Sequence, residues 1–445
     1  MNSTSWLSQI QFFLSLGFMS LFLVIELGLA WALLYFKVRS HGAAHAGWTA
    51  AYRFWVRVFA LALVLTLASS MPVLIQFGSL WPSLMDRIGE VAGPLLAVSI
   101  LTTFIFKSCF LGAMLFGQRR LSERVHTVMV LMVALGVTLS ALWLIALQSW
   151  MQTPAGVSLV DGQYRVTDWL SLMFNPSFGW SAGLLAATAA VTAAFLMLGV
   201  TARQSFRRSL DDSERLVFKT ALAMAMAGVV VLALSAAGMG HVVAQHQPAK
   251  AAATAGYWHS GSAPGLVLFG WPDAGTQRNR AALELPGGSG RWLGRDEKGQ
   301  LRGLDEFSGM RPPVAFTFWS FRLMVITGLL MGLLSGLTFL RLRKKGFDPA
   351  ALPTAWRRLY GAMTLSGWLV CASGLGYILF GLYPYAVNGT ITISEIAGAT
   401  QPSLLLGGIA AYCLVYGLFL IGFLQLLKHI ASYGVVPIAR RRGRA

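Results

Sequence analysis

The sequence contains few charged residues. Only 12% of its 445 residues are Asp, Glu, Lys or Arg, whereas 56% are hydrophobic. So few charges cannot cover the surface of a soluble globular protein of this size, and that class is excluded. The Walker loop and the HExxH motif are both missing from the sequence. The composition is that of a polytopic membrane protein, whose chemistry must lie within the membrane or in a connecting segment.

Cysteine is scarce as well. Cys109, Cys371 and Cys413 are the only cysteines, and each lies within an apolar run. They are too few and too widely separated to form a disulfide framework or a CxxC metal site.

Long apolar runs occupy most of the chain. A helix needs about 20 apolar residues to cross the hydrocarbon core of a bilayer. Nine runs reach that length, at roughly 10–36, 54–78, 91–117, 126–148, 179–201, 218–240, 317–341, 359–382 and 403–427. The sequence therefore predicts an all-α polytopic membrane protein with nine transmembrane helices, whose termini lie on opposite sides of the membrane.

Basic residues alternate between the connecting segments. Lys and Arg are concentrated after the first, third, fifth and seventh runs and in a tail that contains Arg440, Arg441, Arg442 and Arg444. The positive-inside rule places these segments in the cytoplasm, so we expect the N-terminus outside and the C-terminus inside. The net charge of +18 then reflects topology, and without a soluble basic domain no nucleic-acid partner is predicted.

One long segment, between the sixth and seventh runs, is not apolar. The predicted organisation is six transmembrane helices in 1–240, an extracytoplasmic segment in 241–316, and three transmembrane helices with a basic cytoplasmic tail in 317–445. Within the segment, 241–258 is rich in helix formers, 265–273 is strand-like, and the remainder to 313 is typical of a surface loop. A connecting segment of this length is usually functional or disordered.

Several short motifs lie in order along nearly the whole chain. They are LSQIQF (7–12), FGQRRL (116–121), VALGVTLSALW (133–143), WMQTP (150–154), FNP (174–176), QPAK (247–250), LFGWPD (268–273) and SFRLMV (320–325). In these motifs the sequence resembles subunit I of the cytochrome bd-type quinol oxidases. The resemblance implies a bacterial inner membrane protein of the respiratory chain that oxidises quinol, reduces oxygen to water and pairs with a second membrane subunit.

The resemblance also implies haem cofactors, namely a low-spin b haem near the quinol site and a high-spin b and a d haem where oxygen is reduced. The iron of such haems needs axial ligands such as His or Met. Five positions that match haem-associated or proton-route residues of the family carry other side chains here: Met19, Ser99, Lys107, Leu184 and Phe423. Arg322 and Met324 of the SFRLMV motif, in contrast, match the arginine near the haem propionates and the methionine ligand of the low-spin haem.

No histidine lies near the centre of an apolar run. A solvated or interfacial position is expected for those close to the ends of runs: His41, His45, His126, His259 and His429. His241 lies just beyond the sixth run and could in principle pair with Met324 on a haem. The sequence therefore predicts a reduced set of haem b or no haem.

Two ionisable residues lie deep within apolar runs. Glu26 is about sixteen positions into the first run, and Lys107 is about sixteen into the third. Both runs cross in the same direction, so a rise of about 1.5 Å per residue puts the two side chains at one depth. Because isolated charges in the membrane are costly, we expect a buried ion pair. Two alternatives for Lys107 are proton transfer and a position that faces a water-filled remnant of the haem cavity.

The extracytoplasmic segment contains the predicted quinone contacts. By resemblance, Gln247 and Lys250 of the QPAK motif would hydrogen bond a quinone headgroup. The alternative is an interfacial helix with a snorkelling lysine. Trp258 and Trp271 are interpreted as anchors in the aromatic belt at the membrane surface.

Two functions of different classes follow. The first is a subunit I-like component of a bd-type quinol oxidase complex, with impaired or absent haem binding, that acts as the partner of another subunit or of a ligand-complete paralogue. The alternative is a haem-free quinone-binding or assembly protein on the same scaffold. A minor variant is an electron relay that uses Met19, Met324 and His241.

Overall fold

The computed structural model describes residues 3–42, 45–261, 265–288, 290, 292–396, 398 and 400–433. Within these residues, nine helices are long and apolar enough to cross a membrane, so the predicted all-α membrane fold is confirmed. The basic tail that contains Arg440 lies outside the described residues.

The first six spans precede the long segment. They are α1 (Ser3–Arg39), α2 (His45–Leu80), α3 (Pro82–Thr102) with α4 (Cys109–Phe116), α5 (Glu123–Gln152), α6 (Trp169–Met173) with α7 (Phe178–Gln204), and α8 (Asp212–His246). A short π-helix, Thr103–Ser108, joins α3 to α4 within the third span.

The long segment and the last three spans follow. They comprise α9 (Pro248–Ala255), α10 (Val314–Leu342), α11 (Thr354–Ala362) with α12 (Ser366–Leu382), and α13 (Pro402–Tyr433). The side of the bundle where α8 ends and α10 begins is called the loop side below.

The helices are longer than the apolar runs predict. Helix α1 has 37 residues, which at about 1.5 Å per residue exceeds the ~30 Å hydrocarbon core by a wide margin. The apolar run marks only the part within hydrocarbon, whereas the helix continues into the polar interface. Local signals set some ends: Asp211 and Glu214 form a capping box at the start of α8.

Three antiparallel hairpins lie in connections on the loop side: β1 (Val157–Val160) with β2 (Gln163–Val166), β3 (Gly265–Asp273) with β4 (Arg278–Gly288), and β5 (Tyr385–Val387) with β6 (Ile391–Thr392). The strand-like prediction for 265–273 is confirmed by β3. The prediction of surface loop beyond it is wrong for β4. The positive φ of Ala281 and shifts in the pairing register interrupt the alternation by which β4 could have been recognised.

Helix α1 lies at the centre of the bundle and packs closely against α7. A Cβ atom at Gly28 would lie 2.2 Å from the carbonyl oxygen of Ala189 in α7. The two backbones approach this closely only because Gly28 has no side chain, which is a common basis of helix contact in membranes. Most positions that the resemblance associates with haem lie around these central helices.

Candidate functional site

The π-helix turns Lys107 towards the interior of the bundle. Its neighbours Phe104 and Ile105 are 65% and 43% exposed, whereas Lys107 is 3% exposed. Helix α5 passes close to this segment, since a Cβ atom at Gly136 would lie 2.3 Å from the Cβ of Phe106. Single π turns within a longer helix often occur at functional sites.

The structure brings Lys107 and Glu26 together. The Nζ of Lys107 lies 2.9 Å from Oε1 of Glu26, and the Glu26 side chain is fully buried. Neither carboxylate oxygen accepts a hydrogen bond of regular geometry from a described residue. The contact is therefore an ion pair held by charge, in which the lysine is the partner of the carboxylate.

Aromatic side chains surround Phe423, where the family has a glutamate by resemblance. The ring centroid of Phe423 lies 5.0 Å from that of Phe22 on α1 and 5.8 Å from that of Trp368 on α12. The indole of Trp368 donates to the carbonyl of Leu21 at 2.7 Å. Met19 is 5% exposed on the same stretch of α1. Rings and a backbone contact thus join α1, α12 and α13 around Phe423.

Ser99 and Leu184 serve in packing. The hydroxyl of Ser99 donates to the carbonyl of Ser140 at 2.9 Å, so it links α3 to α5. Leu184 on α7 packs against a small apolar cluster on α8 and α9 that includes Met239, Val243 and Ala251. Neither position offers a lone pair of the kind that haem iron prefers.

Arg322 uses its donors on backbone carbonyls. The guanidinium donates to Thr254 at 2.8 Å, to Val267 at 2.5 Å, to Leu268 at 3.1 Å and to Phe318 at 3.1 Å. It also lies over the Phe318 ring, 3.1 Å from the ring centroid. Arg322 therefore ties α9 and β3 to α10, and most of its hydrogen-bonding capacity is spent within the protein.

Met324 and His241 are not brought together. Met324 is 8% exposed, and its sulfur faces α12, where a Cβ atom at Gly374 would lie 3.4 Å from it. His241 is exposed and shares a hydrogen bond of 3.1 Å with Gln245 of the same helix. The geometry gives the proposed pair of iron ligands no support.

Lys250 is buried between α9 and α12. It is 2% exposed, its Nζ lies 4.5 Å from the centre of the Tyr377 ring, and its methylene groups lie against Gly381. Among the described residues no carboxylate forms an ion pair with it. Burial lowers the pKa of Lys250 to about 7. The alternative of a snorkelling lysine is wrong, because α9 is packed against the bundle and covers the amine.

Gln247 directly precedes α9 and contacts the end of α5. It is 4% exposed, and its Nε2 donates to the carbonyl of Gln152 at 3.2 Å. The Oε1 of Gln247 and the Nε2 of Gln152 have no hydrogen-bond partner among the described residues. An unused acceptor and an unused donor therefore lie close together at the junction of α5 and α9.

Sequence reasoning missed two members of this loop-side site. Thr254 donates its one hydroxyl proton to the carbonyl of Lys250 at 2.7 Å, and the hydroxyl of Tyr377, 3.0 Å from that of Thr254, is then the donor to Thr254. Both residues lie in ordinary apolar or small-residue stretches, so no spacing linked them to Lys250. This loop-side site therefore consists of Lys250, Thr254, Tyr377 and Arg322.

Two predictions about side-chain exposure are wrong. His126 is fully buried, with its Nε2 3.0 Å from the carbonyl of Met114 and its ring against Tyr52. Trp258 is 5% exposed and donates to Asn279 at 3.0 Å, so it belongs to the interior of the long segment. In both cases another element covers the side chain: Tyr52 of α2 lies against His126, and Asn279 of β4 contacts Trp258. The side chain of His45 lies outside the described residues.

The chain is similar to proteins of one family over nearly its whole length. A profile of the family described as cytochrome bd terminal oxidase subunit I matches residues 7–435. The chain is 27% identical over 405 residues to cytochrome bd ubiquinol oxidase subunit 1 of Bacillus subtilis (strain 168), which covers 86% of this chain and 84% of that one. It is 26% identical over 508 residues to cytochrome bd-II ubiquinol oxidase subunit 1 of Escherichia coli (strain K12), which covers 96% of each chain.

The fold has a close counterpart among solved structures. A bd oxidase chain from Geobacillus thermodenitrificans superimposes with a TM-score of 0.87, at 22% sequence identity, over 97% of this chain and 99% of that one. At this identity the likeness concerns the fold.

Proposed function

The chain belongs to the cytochrome bd terminal oxidase subunit I family, and on that premise we propose that it is a component of a bd-type quinol oxidase complex with an incomplete haem set. In this proposal it works in a bacterial inner membrane, with its N-terminus outside, beside a second membrane subunit or a ligand-complete paralogue. Quinol oxidation and oxygen reduction by the complex would then depend on that partner for part or all of the haem chemistry.

The observation that carries the proposal is the packing around Phe423. A phenyl ring, wedged between the rings of Phe22 and Trp368, stands where the resemblance places a carboxylate. Replacing an ionisable group by close-packed rings removes a haem-associated polar group and fills the space that it would face. The residues at this position therefore do not fit the active haems of the family.

Position 184, which by resemblance matches a ligand of the low-spin b haem, supports the same conclusion. Leu184 has no atom that can bind iron, and it packs against the apolar cluster that includes Met239 and Val243. Arg322, the family's propionate arginine by resemblance, donates to four carbonyls of the protein. Met324 remains as a single ligand without its partner, and one thioether is a weak haem site.

The test is the visible spectrum of the protein purified with its partners, together with pyridine haemochrome quantification per chain. We expect less haem b than a complete set and no d band from this chain. A complete set of b and d haem for every subunit I-like chain in the sample would contradict the incomplete haem set, and a complex without any Soret band would contradict the oxidase assignment.

A gain-of-ligand variant sharpens this test. Leu184→His offers an imidazole at the low-spin position, on the premise that the fold retains the family's haem geometry there. We expect the b haem content to rise in Leu184→His and to stay unchanged in the matched control Leu185→His, which places the imidazole on a different face of α7. Equal haem uptake by both variants would show that position 184 has no special relation to haem.

A haem-free quinone-binding protein is the second candidate, and the burial of Lys250 favours it. With a pKa of about 7, part of the amine is neutral at neutral pH, and a neutral amine can accept a hydrogen bond or a proton from a quinol hydroxyl. Gln247 adds an acceptor that no described residue uses. Titration with a quinol analogue should show weaker binding in Lys250→Met than in Lys298→Met, an exposed control. Quinol binding without haem would select this candidate over the first.

A further inference from the structure

The β3–β4 hairpin has an apolar face that the protein does not cover. Phe269, Trp271, Leu283 and Leu285 are 54%, 61%, 59% and 49% exposed. Phe269 and Leu283 are directly opposite in the register, and Leu285 lies two residues farther along on the same side of β4. These four side chains are called the hairpin face. A patch of large apolar side chains in a connecting segment indicates contact with another apolar phase or molecule.

Strand β3 of the hairpin lies beside the first turns of α10. Two carbonyls of β3, those of Val267 and Leu268, accept hydrogen bonds from Arg322. The ring centroids of Phe269 and Trp271 lie 5.0 and 5.7 Å from that of Trp319. Trp319 and the Phe318 ring under the Arg322 guanidinium are little more than one turn from Val314, where α10 begins.

The length of α10 bears on the depth of these contacts. Its 29 residues span about 43 Å at about 1.5 Å each, whereas the hydrocarbon core is about 30 Å thick. If the excess is shared between the two ends, about one turn of α10 lies above the hydrocarbon on the loop side. On that division, the level of Phe318 and Trp319 corresponds to the boundary between hydrocarbon and headgroups, and Phe269 and Trp271, which contact Trp319, are at the same level.

The hairpin face also continues the surface of α10 that faces away from the protein. Below Trp319, that surface consists of exposed apolar side chains such as Leu323, Ile326 and Leu330. Tryptophan is typical of the membrane interface, where its apolar body and its polar N–H edge are both accommodated. Polar residues lie at the turn end of the hairpin, where Asp273 forms an ion pair with Arg280.

We propose that the hairpin face is inserted into the interfacial layer of the lipid bilayer on the loop side. The occupant of this face is phospholipid, at the level where acyl chains meet headgroups. Part of the segment between the sixth and seventh spans is then an element of the membrane interface, and contacts with α10 fix its position. Through Arg322, which donates to both β3 and Thr254, the hairpin and α9 are held to α10 together. This inference goes beyond the proposed function and requires neither haem nor quinone.

The test is nitroxide accessibility at Leu283→Cys in the full chain, reconstituted in nanodiscs with its co-purifying partners. Cys109, Cys371 and Cys413 are first replaced by alanine, and Lys298→Cys serves as the control in an exposed polar part of the same segment. We expect the label at position 283 to have a severalfold higher ratio of oxygen to nickel-chelate accessibility than the label at position 298. Equal ratios would contradict insertion, and low accessibility of position 283 to both reagents would assign the face to a protein partner.

A second measurement needs no cysteine replacement. A diazirine carried on a phospholipid acyl chain should label the wild-type peptide that contains Phe269 and Trp271 and should leave the peptide around Lys298 unlabelled. Absence of label from the hairpin peptide, in a sample whose α10 peptide is labelled, would overturn the proposal.

Discussion

Lys107 and Lys250 are both almost completely buried, yet different groups face their amines. Lys107 lies within a span and has the carboxylate of Glu26 at 2.9 Å. Lys250 lies in α9, and only the face of the Tyr377 ring approaches its amine, at 4.5 Å from the ring centre. A cation in hydrocarbon is paired because its desolvation cannot otherwise be compensated. Near the loop side, a buried amine can instead lose its proton.

The largest expected effect concerns the membrane pair. Because loss of one partner leaves an uncompensated buried charge, Lys107→Met alone should lower the free energy of unfolding by about 3–5 kcal/mol. Glu26→Gln combined with Lys107→Met should recover much of that loss, because both charges are then absent. The free energies of unfolding of the wild type, the two single variants and the double variant are measured in mixed detergent micelles, as a double-mutant cycle. Strictly additive losses in the double variant would reject the pair as an energetic unit.

The second prediction concerns the pH dependence that Lys250 confers. An unfolded chain keeps this proton to about pH 10.5, whereas the folded chain releases it near pH 7. Between these values the unfolded state binds more protons, so the free energy of unfolding rises with pH, by an amount on the order of a few kcal/mol; below pH 7 this contribution is flat. Lys250→Met should remove the rise and be most stabilising, relative to wild type, below pH 7.

The control for this pH profile is Lys298→Met, since Lys298 is exposed in the same segment. Thermal unfolding between pH 6 and pH 10 provides the comparison. If the Lys250→Met profile keeps the slope of the wild type, the rise comes from another group and the contrast between the two lysines fails.

The smallest expected effect belongs to Ser99. Its hydroxyl donates to the carbonyl of Ser140, and hydrogen bonds between helices in a membrane contribute about 0.6 kcal/mol on average. Ser99→Ala should therefore lower the free energy of unfolding by about that amount and leave haem content unchanged. A loss as large as that of Lys107→Met would mean that Ser99 has retained a role beyond packing.

Sequence reasoning was strongest where one physical requirement dominates. The need for about 20 apolar residues per crossing is enough to predict nine spans. The equal depth of Glu26 and Lys107 follows from the helix rise and the direction of the runs, and the structure places the two side chains in contact. Sequence reasoning failed where packing covers a residue, as for His126, and where a strand depends on its partner, as for β4.

The sequence by itself determined that the chain crosses a membrane, which family it resembles and which side chains stand at the positions compared with that family, because these follow from composition and from residue identity. Only the tertiary structure decided what surrounds these side chains. The π turn that aims Lys107 inward, the rings that close around Phe423, and the burial of Lys250 beneath α9 all depend on contacts between residues that are far apart in the chain. Such contacts are set by how helices pack, and periodicity within one helix does not specify its neighbours.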